Sequence, residues 1–188
     1  MYKSFGKRLL DILIVVFSFV VLSPLLLVVA FLIKLFDPGP IIFKQQRVGI
    51  NGEPFEFIKF RSMPVNTVDI PSDQVGNIKL TFIGKIIRRS NIDELPQLIN
   101  ILKGDMSIVG PRPAIVSQLE LIQLRKENGS IAIRPGLTGL AQINAFDGMS
   151  PETKAEFDGI YTRNISFKSD VKIILNTFLY LFKPPPVY

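Results

Sequence analysis

A run of apolar residues long enough to cross a membrane, yet interrupted at its centre, constrains this chain more than any other feature. From Ile12 to Phe36 the sequence reads ILIVVFSFVVLSPLLLVVAFLIKLF, apolar except at Ser18, Ser23, Pro24 and Lys34. As a straight helix this segment would reach ~37 Å, more than the roughly 30 Å of bilayer hydrocarbon. Pro24 removes one backbone donor and clashes with the carbonyl four residues back, which costs about 3 kcal/mol in a helix interior. Ser23 carries a hydroxyl suited to the carbonyl that Pro24 leaves unpaired, the kind of repair that lets a break survive in lipid. Basic residues flank both sides equally: Lys3, Lys7 and Arg8 before the run, and Lys34, Lys44 and Arg47 at or after its end. Positive flanks stay cytoplasmic, so the tie is relieved if the helix bends at Ser23-Pro24 and returns to the face it came from. A single span with a proline kink is the alternative, and topology alone leaves both open. The run is too long for a cleaved signal peptide, and no small-residue cleavage site follows it.

The 152 residues after position 36 suffice for one compact domain, giving two units: 1–36 in the membrane and 37–188 outside it. Lys and Arg number 22 against 16 Asp and Glu, a net charge of +6. Beside a membrane segment, that excess suits an anionic leaflet or a phosphate-rich ligand. Nucleic acid is not expected as a partner, because no compact Lys/Arg block or zinc-ligand spacing is present. The chain has no Cys and no His, which excludes thiolate chemistry, imidazole bases and serine triads of the usual kind. Carboxylates, lysines, tyrosines and hydroxyls are left to do the chemistry, and a hard cation such as Mg²⁺ is the metal they suit.

Along the chain the pattern is α+β. Residues 41–60 read as a β-hairpin, with Asn51-Gly52 as a type I′ turn and alternation from Phe55 onward. Residues 64–79 are polar and loop-like. Residues 82–89 set apolar positions beside basic ones, as in a short helix lying at a membrane surface. Helical spacing over 93–103 stops at Gly104, and further helices are expected over 114–127 and 151–163, with a Gly/Pro-rich loop at 134–139. Val171 to Phe182 is apolar but too short to span, and Pro184-Pro185-Pro186 stop it. The Asn-x-Ser matches at Asn128 and Asn164 read as chance.

The densest cluster of chemistry is Ser90-Asn91-Ile92-Asp93-Glu94-Leu95-Pro96. Ser90 and Asp93 resemble a capping arrangement that places Asp93 in the first turn of a helix, where amides and dipole favour a carboxylate or an arriving phosphate. Successive helical residues point about 100° apart, so Asp93 and Glu94 can divide two tasks: one attacks phosphorus and the other holds the metal on that phosphate. The bland alternative is a capping acid followed by a solvated one. Arg88 and Arg89 lie one turn upstream. Arg112, in Gly110-Pro111-Arg112-Pro113, has a backbone stiffened by two prolines that aims a guanidinium fork suited to phosphate. Arg134-Pro135-Gly136-Leu137-Thr138-Gly139 repeats the theme, and Lys59 and Arg61 close the strand. Each basic residue alone reads as a surface charge; together, around an acid pair and next to a membrane, they indicate a site for a polyphosphate. Asp158 and Tyr161, on one helix, are candidates for supporting or acid–base roles.

With these residues assembled, the sequence resembles the small monotopic phosphoglycosyl transferases of the bacterial sugar transferase family, over nearly its whole length. The resemblance rests on the Ser23-Pro24 break, Gln46-Arg47-x-Gly49, Lys59-Phe60-Arg61-Ser62-Met63, Asp93-Glu94-Leu95-Pro96-Gln97, Lys103-Gly104-Asp105-Met106-Ser107, and the two Gly/Pro/Arg loops. It implies a re-entrant helix-break-helix hairpin at Ser23 and Pro24, followed by a small cytoplasmic domain of amphipathic interfacial helices with a β-hairpin. The implied setting is the bacterial inner membrane, with the active site on its cytoplasmic face. The extra membrane helices and further domain of the larger members are not expected here.

The implied reaction moves a sugar-1-phosphate from a UDP-sugar to polyprenyl (undecaprenyl) phosphate with release of UMP. Asp93 would be the nucleophile, forming a covalent phosphosugar intermediate, and Glu94 would bind Mg²⁺. Lys59, Arg88, Arg112, Arg134, Gly136, Asp158 and Tyr161 complete the set expected around substrate. Membrane lipids are expected partners, and a homodimer is left open. Two other classes stand beside this one: a non-catalytic adaptor binding anionic lipid through its basic surface, and an aspartyl-phosphate hydrolase, which usually needs an Asp-x-Asp triplet that this chain lacks. Neither the sugar nor the downstream glycoconjugate is readable.

Overall fold

The computed structural model describes residues 2–65, 80–144 and 149–181. The expected polar loop falls mostly on 66–79, and the triple proline at 184–186; both lie outside the described residues. After a π-helical turn at Tyr2–Gly6, helix α1 runs from Lys7 to Phe36. Pro24 lies inside α1 without ending it. The repair takes the expected form: Ser23 Oγ donates to the Val20 carbonyl at 3.2 Å, the oxygen four residues before Pro24. Asp11, Val15, Val29 and Ile33 are the buried positions of α1, and none of Val16 to Val28 is buried. Phe17, Val20 and Leu27 are at least 70% exposed, which no core helix tolerates. Among the described residues this is the one helix long and apolar enough to cross a membrane, and it suits membrane association.

Strands β1 (Ile42–Val48) and β2 (Pro54–Phe60) pair antiparallel from Ile42↔Phe60 to Val48↔Pro54. Asn51 (φ 56°, ψ 15°) and Gly52 (φ 84°) take the two left-handed positions of a type I′ turn, as the Asn-Gly pair predicts. Helix α2 (Phe82–Arg89) starts at Thr81, whose hydroxyl accepts from the Gly84 amide at 2.9 Å. Gly84 lies so close to the Ser62 carbonyl that a Cβ would overlap it, which seats α2 on the end of β2. Helix α3 (Gln97–Lys103) starts later than the spacing suggests, because Pro96 occupies its N-cap; Gly104 ends it at φ 95°, as expected.

The helix expected over 114–127 is shorter. Ala114–Ile115 form β4, which pairs with β1 at Arg47↔Ile115, and α4 covers only Leu119–Glu127. The first sheet is therefore ordered β2-β1-β4. The Gly/Pro-rich segment also holds a strand, β5 (Gly136–Thr138), parallel to β3 (Ser107–Val109). Helices α5 (Leu140–Asn144), α6 (Pro151–Arg163) and α7 (Phe167–Leu181) follow.

Both ends of α1 are seated on this body. Val15 joins Phe57, Leu98, Ile101, Met106 and Val109 in the largest core cluster, and Val29 and Ile33 join Phe60, Ile83 and Ile87 in a second. Polar anchors reinforce each end. Asp11 accepts from Ser107 Oγ (3.0 Å) and the Ile108 amide (2.9 Å), and Arg8 caps the end of α3 through the Ile101 carbonyl at 2.6 Å. Asp170, 1% exposed, accepts from Tyr2 (2.6 Å), Lys7 (2.7 Å) and Tyr161 (2.7 Å). Beyond the other end, Arg61 bonds the Asp37 backbone carbonyl and pairs with its carboxylate at 3.3 Å.

A fully buried amide closes one edge of the sheet. Asn100 on α3 accepts from the Ile58 amide (3.2 Å) and donates to the Glu56 carbonyl (2.7 Å), imitating a neighbouring strand. Removing it strands two backbone groups, each costing ~1–3 kcal/mol. Asn100→Ala is expected to destabilise the protein by about 3 kcal/mol, read from thermal unfolding in detergent; a loss under about 0.5 kcal/mol contradicts this role.

Candidate active site

Three chain segments meet at the acid pair. Lys59 comes from the end of β2, and Arg88 from the last turn of α2. Arg112 comes from the loop between β3 and β4. Ser90 does not cap a following helix: it closes α2, its hydroxyl donating back to the Ile86 carbonyl at 2.9 Å. Asn91, at φ 54°, then reverses the chain, and Asp93 and Glu94 fall in a 3-10 turn, Ile92–Glu94, ahead of α3. The capping arrangement expected from Ser90 and Asp93 is therefore corrected; what brings the acids into the body is a left-handed asparagine between two helices.

Asp93 is 6% exposed, while the Glu94 side chain is 21% exposed. Arg112 grips Glu94 with its fork, Nη2 to Oε1 at 2.6 Å and Nη1 to Oε2 at 3.4 Å. The two acids consequently ionise differently. Burial, reinforced by the charge of Glu94, pushes the Asp93 carboxyl up to about 6, and Lys59, Arg88 and Arg112 only partly offset it. Burial acts on Glu94 too, but the charge and hydrogen bond of Arg112 outweigh it and hold that carboxyl below its usual range. Burial lowers the Lys59 ammonium against the pull of Asp93 and Glu94, and its Nζ lies 5.2 Å from the centre of the Phe43 ring across the strand pair. One neutralisable acid and one held charge, in a ring of cations, can serve nucleophilic attack on phosphorus.

The structure thus brings together Asp93, Glu94, Lys59, Arg88 and Arg112, and places the other candidates elsewhere. Arg134 donates from Nε to the Gly104 carbonyl at 2.8 Å, beyond the far end of α3. Gly136 packs against the Gly110 backbone, where a Cβ would collide, and so permits the β3–β5 pairing. Tyr161 belongs to the Asp170 anchor, with a second bond to the Val109 carbonyl at 3.3 Å. Asp158 pairs with Arg125 in the interior at 2.7 Å. Arg125, Asn100, Asp11 and Asp170 were not singled out from the sequence. The one available signal for Arg125 is its position four residues after Leu121, on the buried face of α4.

Among the described residues no group of three or more acidic side chains gathers, so no all-protein cage for a cation exists there. Glu94, ionised and partly exposed beside Asp93, fits the alternative in which Mg²⁺ is held by one carboxylate and the oxygens of a phosphate substrate.

A family model described as bacterial sugar transferase matches residues 2–184. The chain is 42% identical, over 94% of its length, to a UDP-glucose:undecaprenyl-phosphate glucose-1-phosphate transferase of Klebsiella pneumoniae, of which it covers 39%. It is 41% identical to a UDP-N-acetylgalactosamine-undecaprenyl-phosphate N-acetylgalactosaminephosphotransferase of Aeromonas hydrophila, over 93% of this chain and 43% of that one. An exopolysaccharide production protein ExoY of Sinorhizobium fredii is 37% identical over 92% of this chain and 83% of its own. The chain thus spans about two-fifths of the length of the Klebsiella and Aeromonas relatives.

The raised Asp93 carboxyl has a thermodynamic signature. Its folded value, about 6 against an ordinary 3.8, means that the fold favours the protonated form. That contribution is full below about pH 4 and is lost as pH rises through about 6, leaving a cost on the order of 2–3 kcal/mol at neutral pH. Asp93→Asn is expected to unfold at a higher temperature than the parent at pH 7.5 and to lose that advantage at pH 4. An unchanged or lower melting temperature at pH 7.5 contradicts the electrostatic account.

Proposed function

The chain belongs to the bacterial sugar transferase family, and on that premise we propose that it is a phosphoglycosyl transferase acting at the cytoplasmic face of the bacterial inner membrane. It takes a sugar-1-phosphate from a UDP-sugar and passes it to undecaprenyl phosphate. The observation that carries the reading is the split pair: Asp93 buried with a raised carboxyl beside the charges of Lys59 and Arg88, and Glu94 held ionised by Arg112. A membrane adaptor has no use for such a pair, and the relatives' names speak for transfer chemistry, so that alternative is not favoured.

In this mechanism an ionised Asp93 oxygen attacks the phosphorus that bears the sugar. The bond from that phosphorus to the bridging oxygen of the diphosphate breaks, and UMP departs with the electron pair. The acyl phosphate left on Asp93 is a mixed anhydride, which keeps the transfer potential of the diphosphate. A phosphate oxygen of the lipid then attacks the same phosphorus, expelling the Asp93 carboxylate and giving the polyprenyl-diphosphate sugar. Splitting one displacement into two predicts ping-pong kinetics. Lys59, Arg88 and Arg112 offset the charge on the transferring phosphate, and burial makes their effect larger than it is in water. Glu94 would hold Mg²⁺, which would supply further neutralisation of the diphosphate.

The same reading takes α1 as a re-entrant hairpin. Its support is the seating of Val15 and of Ile33 on one body while no residue from Val16 to Val28 is buried between them, with Ser23 repairing the bond lost at Pro24. Exposed Phe82 and Ile86 on α2 and Leu175, Phe178 and Leu179 on α7 suit the lipid interface, as amphipathic helices do. A nucleophile at that depth meets a soluble donor and a lipid acceptor in turn.

Two experiments test these proposals. Intact-protein mass spectrometry after exposure to candidate UDP-sugars without acceptor is expected to reveal an adduct of one sugar-phosphate, absent in Asp93→Asn, with UMP in solution; release of UDP, or an Asn variant with parental turnover, overturns the covalent route. Because the chain has no cysteine, Lys3→Cys and Pro38→Cys report topology cleanly. In right-side-out vesicles both are expected to resist an impermeant maleimide until the membrane is permeabilised, whereas a single span exposes one of them.

A further inference from the structure

We propose that Arg125 and Asp158 are positioning residues for the transfer reaction, holding the backbone of Arg112 so that its guanidinium reaches Glu94. The proposal rests on the reading just given for Arg112 and Glu94. Arg125 is 5% exposed and Asp158 1%. Both Nε (2.9 Å) and Nη2 (2.7 Å) of Arg125 contact Asp158 Oδ2, and its Nη1 donates to the Arg112 carbonyl at 2.9 Å. Burying two charges costs several kcal/mol before their attraction is counted, and an apolar pair of equal volume packs helices as well or better. Packing of α4 on α6 is already provided by Leu121 and Ala155, with Val48 and Ala114 in the same cluster. The third hydrogen bond is what an apolar pair cannot provide.

The Arg112 loop needs outside donors. Pro111 and Pro113 have no amide hydrogen to contribute, and three successive carbonyls are each taken by a donor from elsewhere. Gly136 N donates to the Pro111 carbonyl (2.8 Å), Arg125 to that of Arg112 (2.9 Å), and Arg47 Nη1 to that of Pro113 (3.1 Å). Only the middle one belongs to the residue whose side chain binds Glu94. Asp158, by engaging two of the three guanidinium nitrogens of Arg125, leaves the third aimed at that carbonyl. The role is geometric: Arg125 and Asp158 act on substrate solely through Arg112.

A double-mutant cycle separates this from general support of the fold. Arg125→Lys keeps a charge for Asp158 but its compact ammonium cannot bridge both partners. It is expected to lower kcat and kcat/KM alike by ~10-fold, as loss of an interaction realised in the transition state does. On an Arg112→Ala background, the same change is expected to alter the residual turnover by less than ~2-fold; an equal loss on both backgrounds overturns the proposal. Hydrogen exchange gives a readout independent of turnover: amides around 110–113 are expected to exchange faster in Arg125→Lys while those of α3 keep their protection. Unchanged exchange around 110–113 overturns the clamp. If Arg125→Lys fails to fold, Asp158→Asn, of equal size, takes its place in both measurements. If the parent itself releases no UMP, the functional reading falls, and exchange still decides whether Arg125 holds the loop.

Discussion

The fork between Arg112 and Glu94 joins two separate parts of the chain, the turn after α2 and the loop after β3. Both of its members are partly exposed, and a surface pair of that kind is ordinarily worth little. Its weight here comes from what stands next to it. Asp93 is buried one residue away, and any negative charge left uncompensated on Glu94 raises its carboxyl further. By balancing Glu94, Arg112 keeps Asp93 within reach of ionisation at neutral pH. A carboxyl near 6 is mostly ionised at pH 7 yet poorly solvated, a combination that suits a nucleophile. The strain of the site is therefore electrostatic, with the ionised Asp93 costing stability, as functional groups commonly do.

On the proposed reading that arrangement is held at a fixed depth beside a bilayer, and α1 is the element that ties it there. An apolar helix adrift in lipid can tilt and slide at modest cost. This one cannot, because Asp11, Arg8 and Lys7 anchor one end to β3, α3 and Asp170, while Ile33 and Val29 pack on Phe60, Ile83 and Ile87 at the other. The second cluster contains residues of α2, the helix that carries Arg88 and leads into Asp93. β2 connects the two anchorages directly, contributing Phe57 to one cluster and Phe60 to the other, with Lys59 between them. Membrane depth and active-site geometry are thus set by the same few side chains.

Local features of the sequence were read well where one residue type has one physical use. Asn51-Gly52 can hardly do anything but turn, Gly104 ends a helix because it takes a left-handed conformation, and the proline-flanked Arg112 has little freedom in its backbone. Among the residues that converge, Arg112 sits at such a fixed point, whereas Asp93 and Glu94 are turned inward by the left-handed Asn91. Reading failed where a short polar motif had two structural outlets. Ser90 precedes an acid by three residues, which fits an N-cap, but its hydroxyl closes the preceding helix instead. Strands β4 and β5 went unseen because two or three residues carry no periodicity, and their existence is decided by partners far along the chain. Buried polar residues such as Asn100 and Arg125 were invisible for the same reason: a polar side chain inside a helix looks solvated until the groups it satisfies are known.

Similarity in this family extends across proteins named for different sugars, glucose in the Klebsiella relative and N-acetylgalactosamine in the Aeromonas one, at nearly equal identity to this chain. Overall identity to this chain therefore does not by itself separate the two sugars in those names. Around the acid pair of this chain stand fixed positive charge, a pre-aimed guanidinium and a buried carboxylate, a set that suits a diphosphate. Sugar hydroxyls are neutral and are told apart by hydrogen bonds of particular direction, so their recognition belongs to side chains outside that ring. On the proposed reading the division makes physical sense, because a substitution that alters the ionisation of Asp93 reaches the reacting group itself, whereas one that touches only the sugar leaves that charge balance intact.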